Sequence, residues 1–306
     1  MRIYDCFTFF NEIKLLKIRL RILAPYVDYF VIVECDKTLR GEYKGFNLNL
    51  EELGIREYKD KIRHIKVTDA PAVQGNGQWE IEYHQRNSIM RGLYDCRQDD
   101  LVMVSDLDEI PSPTVLADLQ GTKISRLFSS TGYRGKIKEF FRLAGCSKKV
   151  WFCDNLLDLL EYTPVIFRMR IFYYYMNCEA RKGFWDGLVI TKFKNMLIPQ
   201  SLRMLRGKIP SVDGGWHFSY LGGVEKIKLK LRSIVDDTPA IIDAMDKFSS
   251  DDDYIEYCLR NGIDIYGRIG NDFEYQFINI ADIGIPDVKK IVADCPEFFR
   301  TCGERD

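Results

Sequence analysis

Asp106, Asp108 and Glu109 put three carboxylates within four residues, directly after the apolar run LVMV and just before Pro111. On an extended chain, side chains two apart project from the same face, so Asp106 and Asp108 point together. Carboxylates that close repel one another unless a cation or a shared proton lies between them. Oxygen donors of this kind suit Mg²⁺ or Mn²⁺, which take one or two carboxylates and complete their shell with substrate phosphates. A cation held there would neutralise a diphosphate leaving group. The plainer alternative is a solvated turn whose acids end the strand, and Ser112-Pro113 favours such a turn.

The elements that must position these acids alternate along the first hundred residues. IYDCFTFF (3–10) is rich in strand formers, and Asn11 can cap a helix in which Ile13, Leu16, Leu20 and Leu23 recur at helical spacing until Pro25. YFVIVEC (29–35) reads as a buried parallel strand, EELGIREYKDK as a short helix, and IRHIKVTD (62–69) as a third strand. APAVQGNGQ (70–78) reads as a loop, WEIEYHQRNSIMRGLYD (79–95) as helical, and LVMVSD as a fourth strand. This alternation predicts an α/β fold with a doubly wound, mostly parallel central sheet and helices on both faces. Ligands of such sheets bind outside the carboxyl ends of the strands, where Glu34, Asp69 and Asp106 are expected to gather. Further on, FRMRIFYYYMN (167–177) and GLVITKF (187–193) read as strands and LGGVEKIKLKLRSIVDD (221–237) as a helix. Its Lys226, Lys228, Lys230 and Arg232 form a basic side, read as a solvated face or a phosphate contact. Absent repeats or a clear linker, one continuous domain over 1–306 is expected, in segments 1–111, 112–240 and 241–306.

Composition narrows the function classes. Of 306 residues, 46% are hydrophobic and 29% charged, which is ordinary for a soluble globular chain. The net charge of −1 gives no broad footprint for nucleic acid. Aromatic residues make up 13% of the chain, a richness that suits either a ring-stacking cleft or core packing. Nine cysteines occur, none in a C-x-x-C pair, which reads as reduced, mostly buried thiols. No stretch approaches the roughly 18 apolar residues of a membrane span, and no signal peptide is visible. A cytoplasmic location and a bacterial or viral source are the expectation.

Two enzyme classes place D-x-D after an apolar strand. Haloacid-dehalogenase-like phosphatases do so with the first Asp as nucleophile, here Asp106, usually on their first strand. GT-A glycosyltransferases do so after three or four strands, with an Arg/Asn-bearing helix just upstream, as HQRNSIMRGL precedes DDLVMVSDLD here. A non-catalytic glycan-binding module is a further possibility. YDCFTFFNEIKLLKIRL, YFVIVECDKTLRG, the QRN of 85–87, VSDLDEIP and GGWHFSYLGGVEKI together resemble glycosyltransferase family 17, with an echo in NGIDIYGR (261–268). This is the family of β-1,4-mannosyl-glycoprotein 4-β-N-acetylglucosaminyltransferases, and the order of the motifs is collinear from about residue 2 to 235.

The resemblance implies an inverting GT-A enzyme that uses UDP-GlcNAc as donor, a glycan or glycoconjugate as acceptor, and Mn²⁺ or Mg²⁺. By analogy, Asp106 and Asp108 are its D-x-D, with Asp108 the principal metal ligand, Asp106 at the ribose or a metal-bound water, and Glu109 orienting them. Glu34 is a candidate uridine contact, Arg86 a candidate to support the diphosphate or to tie the Asp cluster in place, Asn87 a candidate donor contact, and Trp216 could stack on a sugar ring. His217 is a candidate late metal ligand. Asp213 is the candidate base, with Asp186 and Glu139 as rivals.

Overall fold

The computed structural model describes residues 1–72, 79–125, 152–233, 247–268 and 274–300. Its chain divides into two compact units, one of Met1–Met169 with Asp186–Gly215, the other of Arg170–Trp185 with Trp216–Asp306. Two strands, β6 (Val165–Tyr173) and β9 (Ser211–Ser219), run from one unit into the other.

The first unit is built on four parallel strands: β1 (Ile3–Phe9), β2 (Tyr29–Cys35), β3 (Ile62–Val67) and β4 (Leu101–Asp106). Their order is β3-β2-β1-β4, with Cys6 opposite Val31 on one side and Val104 on the other. Helix α1 (Ile13–Leu23) connects β1 to β2, and α2 (Glu80–Asn87), continued by a 3₁₀ turn over Ser88–Gly92, leads to β4. Such crossovers are what parallel pairing requires. Glu12, rather than Asn11, stands at the start of α1, and its carboxylate accepts the N–H groups of Phe10 and Asn11 at 3.3 and 3.0 Å. The expected helix over EELGIREYKDK is only a 3₁₀ turn, Arg56–Tyr58, because Gly54 takes a positive φ of 63° just before it. Val102, Met103 and Val104 are wholly buried, and each such side chain contributes about 1.5–3 kcal/mol.

Beyond β4 the sheet ceases to be parallel. β8 (Trp185–Lys192) lies antiparallel to β4, with Val104 opposite Val189, and β6 follows it in the strand order. β5 (Glu109–Ile110) pairs with β9, which also pairs with β6. The fold is therefore α/β with a mixed sheet, correcting the mostly parallel one expected.

In the second unit, the end of β6 pairs antiparallel with β7 (Cys178–Ala180), and β7 with β10 (Tyr275–Phe277). Helix Asp251–Asn261 is capped by the Ser250 side chain, which accepts the Asp253 N–H, and ends at Gly262 with φ 63°. Tyr173, Tyr174, Tyr220, Tyr254 and Tyr275 are all buried in the core of this unit. Tyr173 stacks on Tyr275 at 4.9 Å. Much of the aromatic richness is thus spent on packing. Among the described residues no helix is long and apolar enough to cross a membrane, and Cys6, Cys35, Cys96, Cys178 and Cys258 are free thiols.

Candidate active site at the end of β4

β4 sits beside β1, while β2 and β3 extend from the other edge of β1, so the winding direction reverses between β1 and β4. Reversal points of this kind leave a crevice at the strand carboxyl ends. Asp106 is the last residue of β4, and the turn after it carries Asp108 and Glu109.

The turn is held from below by Arg19 of α1. Arg19 is fully buried, and its Nε and Nη2 donate to the two oxygens of Asp5 at 2.8 and 2.6 Å. Nη1 donates to the carbonyl oxygens of Asp106, Leu107 and Glu109 at 3.0, 3.0 and 2.8 Å, and Nη2 to Ser105 Oγ at 2.7 Å. One guanidinium therefore fixes three carbonyls of the motif to a charge on the neighbouring strand.

The side chains are held by three further arginines. Asp106 accepts from Arg86 Nη2 at 3.0 Å on one oxygen and from Arg203 Nη2 at 2.6 Å on the other. Its own N–H donates to Glu109 Oε2 at 3.0 Å. Glu109 is fully buried and accepts from Arg203 Nη1 and Nη2 at 2.6 and 3.0 Å. Arg206 Nη1 stands 3.7 Å from Glu109 Oε1. Burial on its own would raise the pKa of Asp106, but the charges of Arg203, Arg86 and Arg206 hold it well below the carboxylate range. Glu109 is likewise held down against burial, chiefly by Arg203.

Arg86 lies on α2, and besides Asp106 it donates to Glu82 at 2.6 Å and Gln200 at 2.5 Å. Asn87 accepts the Gln200 N–H at 2.9 Å, tying α2 to the helix Pro199–Arg203 that delivers Arg203. The Nε atoms of Arg86 and Arg203 are buried and make no hydrogen bond, an arrangement that costs about 1–3 kcal/mol for each. A cluster of charges that tolerates such donors is poorly explained by stability alone.

The three strand-end acids have separate sets of partners, although Glu34 and Asp106 lie at the same carboxyl edge, opposite Phe9 and Thr8 of β1. Glu34 is fully buried and its carboxylate accepts from Lys44, the N–H groups of Asn47 and Leu48, and His64, the last at 3.0 Å. Burial opposes its ionisation, and His64, Asn47 and Lys44 outweigh that, holding the pKa low. These bonds commit both oxygens of Glu34 to the protein, which leaves the expected uridine contact without an outward-facing group. Asp69 is instead exposed and paired with Arg91 and His84.

Of the base candidates, Asp213 lies on β9, and its carboxylate, about half exposed at 52%, stands 3.3 Å from Arg168. Its N–H donates to Ser125 Oγ at 2.6 Å. The neighbouring Gly215 has φ 117°, and a Cβ there would collide with the Ile110 carbonyl oxygen and lie 3.0 Å from Pro111 Cα. That close approach brings β9, and with it Asp213, against the residues that follow the motif. Asp186 is half-buried in the same unit, and Glu139 lies outside the described residues. Trp216 and His217 belong to the second unit. Trp216 is 6% exposed and donates Nε1–H to the Ile283 carbonyl at 2.8 Å, so its indole is built into that core. The His217 ring stacks on Trp185 at 4.6 Å. On the basic helix, Lys228 pairs with Asp252 at 2.8 Å and Lys230 lies over the Tyr220 ring.

Among the described residues, no group of three or more His, Cys, Asp or Glu side chains is arranged to hold a metal. Asp106 and Glu109 are matched by arginines, and Asp108 beside them is half-buried. A single carboxylate suffices for a cation such as Mg²⁺, which takes its remaining ligands from water and substrate phosphates.

Arg19, Arg203 and Arg206 were not singled out from sequence. Arg203 and Arg206 are three apart, a spacing that puts them on one face of a helical turn, but nothing local links them to a motif about a hundred residues upstream.

The sequence profile of Glycosyltransferase family 17 matches residues 1–126. No curated protein matches the chain. Among solved structures, mannose-6-phosphate isomerase from Helicobacter pylori aligns over 70% of this chain and 86% of its own, at 12% identity and a TM-score of 0.30, which is too slight a likeness to carry any inference. Residues 1–126, which hold the D-x-D strand and every element leading to it, are thus similar to glycosyltransferase family 17, a family of glycosyltransferases.

Proposed function

We propose that this glycosyltransferase moves GlcNAc from UDP-GlcNAc to a glycan hydroxyl, with inversion, in a β-1,4 linkage and on a mannose-like acceptor. The observation that carries this reading is the Asp106–Glu109 turn at the winding reversal beside β1, inside the stretch matched by the family. Inversion needs a single in-line displacement, so one group must take the acceptor proton and another must stabilise the departing diphosphate.

Asp213 is the candidate for the first task, since it is exposed and carried by the strand that pairs with β5. Asp108 would hold a divalent cation, Mn²⁺ or Mg²⁺, which when bound supplies positive charge to the leaving diphosphate. Arg19 fixes the backbone from which Asp108 projects, and Arg203 fixes the acids on either side of it.

Release of UDP from a panel of UDP-sugars, with and without Mn²⁺, tests the reading. UDP-GlcNAc is expected to be the preferred donor, and Asp108→Ala is expected to lower turnover by at least about 100-fold while the fold survives. Full activity in that variant would remove the cation role from Asp108, and indifference to every UDP-sugar would remove the donor class.

A further inference from the structure

We propose that Trp79 and Tyr83, at the start of α2, form a platform on which a neutral pyranose ring of the acceptor glycan packs. That the ligand is an acceptor rests on the transferase reading above; the platform itself rests on geometry. Helix α2 runs from the carboxyl end of the parallel strands toward their amino end. Gln85 Nε2 donates to the carbonyl oxygens of Phe9 and Val33 at 3.4 and 2.9 Å. These groups are level with Asp106, since Thr8 faces Val33 on one side and Asp106 on the other. Past the helix, the Gly92 carbonyl accepts from Arg63, near the start of β3, at 2.8 Å. Trp79 precedes Gln85 by six residues, about 9 Å of helix. The aromatic pair therefore stands beyond the strand ends, on the side where the Asp106 turn lies.

Trp79, Tyr83 and Arg86 follow one another at four and three residues, which sets them on one helix face, and Arg86 is the residue that donates to Asp106 at 3.0 Å. The two rings are nearly parallel, with 21° between their planes and 6.5 Å between centroids. They are 41% and 39% exposed. A single exposed ring is ordinary on a protein surface. Two rings held in one orientation beside a strand-end crevice suit a flat ligand. The C–H face of a pyranose is one: it packs on the electron-rich face of an aromatic ring while its hydroxyls point outward to polar partners. Glu82 gives one oxygen to Arg86 at 2.6 Å, and its other oxygen accepts no bond among the described residues, so it can take such a hydroxyl. Glu80 and Glu82 make the first turn of the helix acidic, which disfavours a sugar diphosphate there and favours a neutral glycan.

Saturation-transfer NMR of the whole protein with mannotriose, chitotriose and galactotriose tests the platform. The wild-type chain is expected to bind at least one of these neutral oligosaccharides. Trp79→Ala and Tyr83→Ala are each expected to weaken that binding about tenfold, whereas Trp79→Tyr and Tyr83→Phe, which keep a ring, stay within about threefold of wild type. Thermal midpoints of the four variants report on folding. An i, i+4 pair that only supports the helix would move the midpoints and leave the sugar affinity alone, and that result overturns the platform. So does the absence of binding by all three sugars, or equal affinity in the folded Ala and ring-keeping variants. If an oligosaccharide binds through the two rings while no UDP-sugar is turned over, the glycan platform stands and the transferase reading falls. If UDP-GlcNAc is consumed and the acceptor KM is the same in wild type and folded Ala variants, the platform falls and the transferase reading stands.

Discussion

Arg19 makes the strongest case for how one side chain can set a functional turn. It looks like one more basic residue in EIKLLKIRLRIL, yet it is fully buried and satisfies Asp5, Ser105 and three carbonyls of the motif. Removing one partner of a buried pair leaves the other charge uncompensated, at about 3–5 kcal/mol. Arg19→Met should therefore lower stability by roughly that amount in urea unfolding at neutral pH. Adding Asp5→Leu removes the stranded charge and should recover about half, because the carbonyls of Asp106, Leu107 and Glu109 remain without their donor. Full recovery in the double variant would show that the carbonyl contacts contribute nothing. The motif acids were legible because they cluster in four adjacent residues, and Arg86 because it lies on the helix just upstream; Arg203 was not, since it meets Asp106 across 97 positions and leaves no local pattern.

At the scale of elements, the closing of β9 on β5 depends on Gly215. Its φ of 117° is one that side-chain-bearing residues rarely adopt, and a Cβ would run into the backbone of Ile110 and Pro111, which cannot move aside as a side chain can. At Gly214 the nearest obstacle is the Val115 side chain, which can rotate. Gly215→Ala should cost about 2 kcal/mol or more and Gly214→Ala distinctly less, measured by thermal unfolding. Similar losses at both positions would mean that backbone approach is not what the glycine pair provides. The same contrast explains which elements could be read from sequence. β1, β2 and β4 are buried runs of six or seven residues with sharp ends, a pattern that survives without tertiary information. β7 and β10 are three residues each, and β5 is two, too short for any periodicity to register. Their pairing partners, and with them the mixed character of the sheet, are set by contacts distant in sequence.

The whole first unit is needed to make the family's own segment stable. Residues 1–126 contain β1 to β5, but β4 finds its second neighbour in β8, and Asp106 and Glu109 find Arg203, both beyond that stretch. Cut off at 126, the chain would expose a long, flat, apolar edge at Leu101–Val104, which is wholly buried in the intact protein. It would also leave Glu109 with neither Arg203 nor Arg206. An unpaired apolar edge is an aggregation template, and an uncompensated buried carboxylate opposes folding. A 1–126 fragment should therefore lack a cooperative thermal transition and elute as aggregate, whereas a 1–219 fragment, which restores β8, β9 and both arginines, should regain helical and strand signal and a cooperative transition. Circular dichroism and size-exclusion chromatography of the two fragments decide the matter. A monomeric, cooperatively folding 1–126 would show that the parallel strands stand alone, and that the later arginines serve the site without supporting the fold.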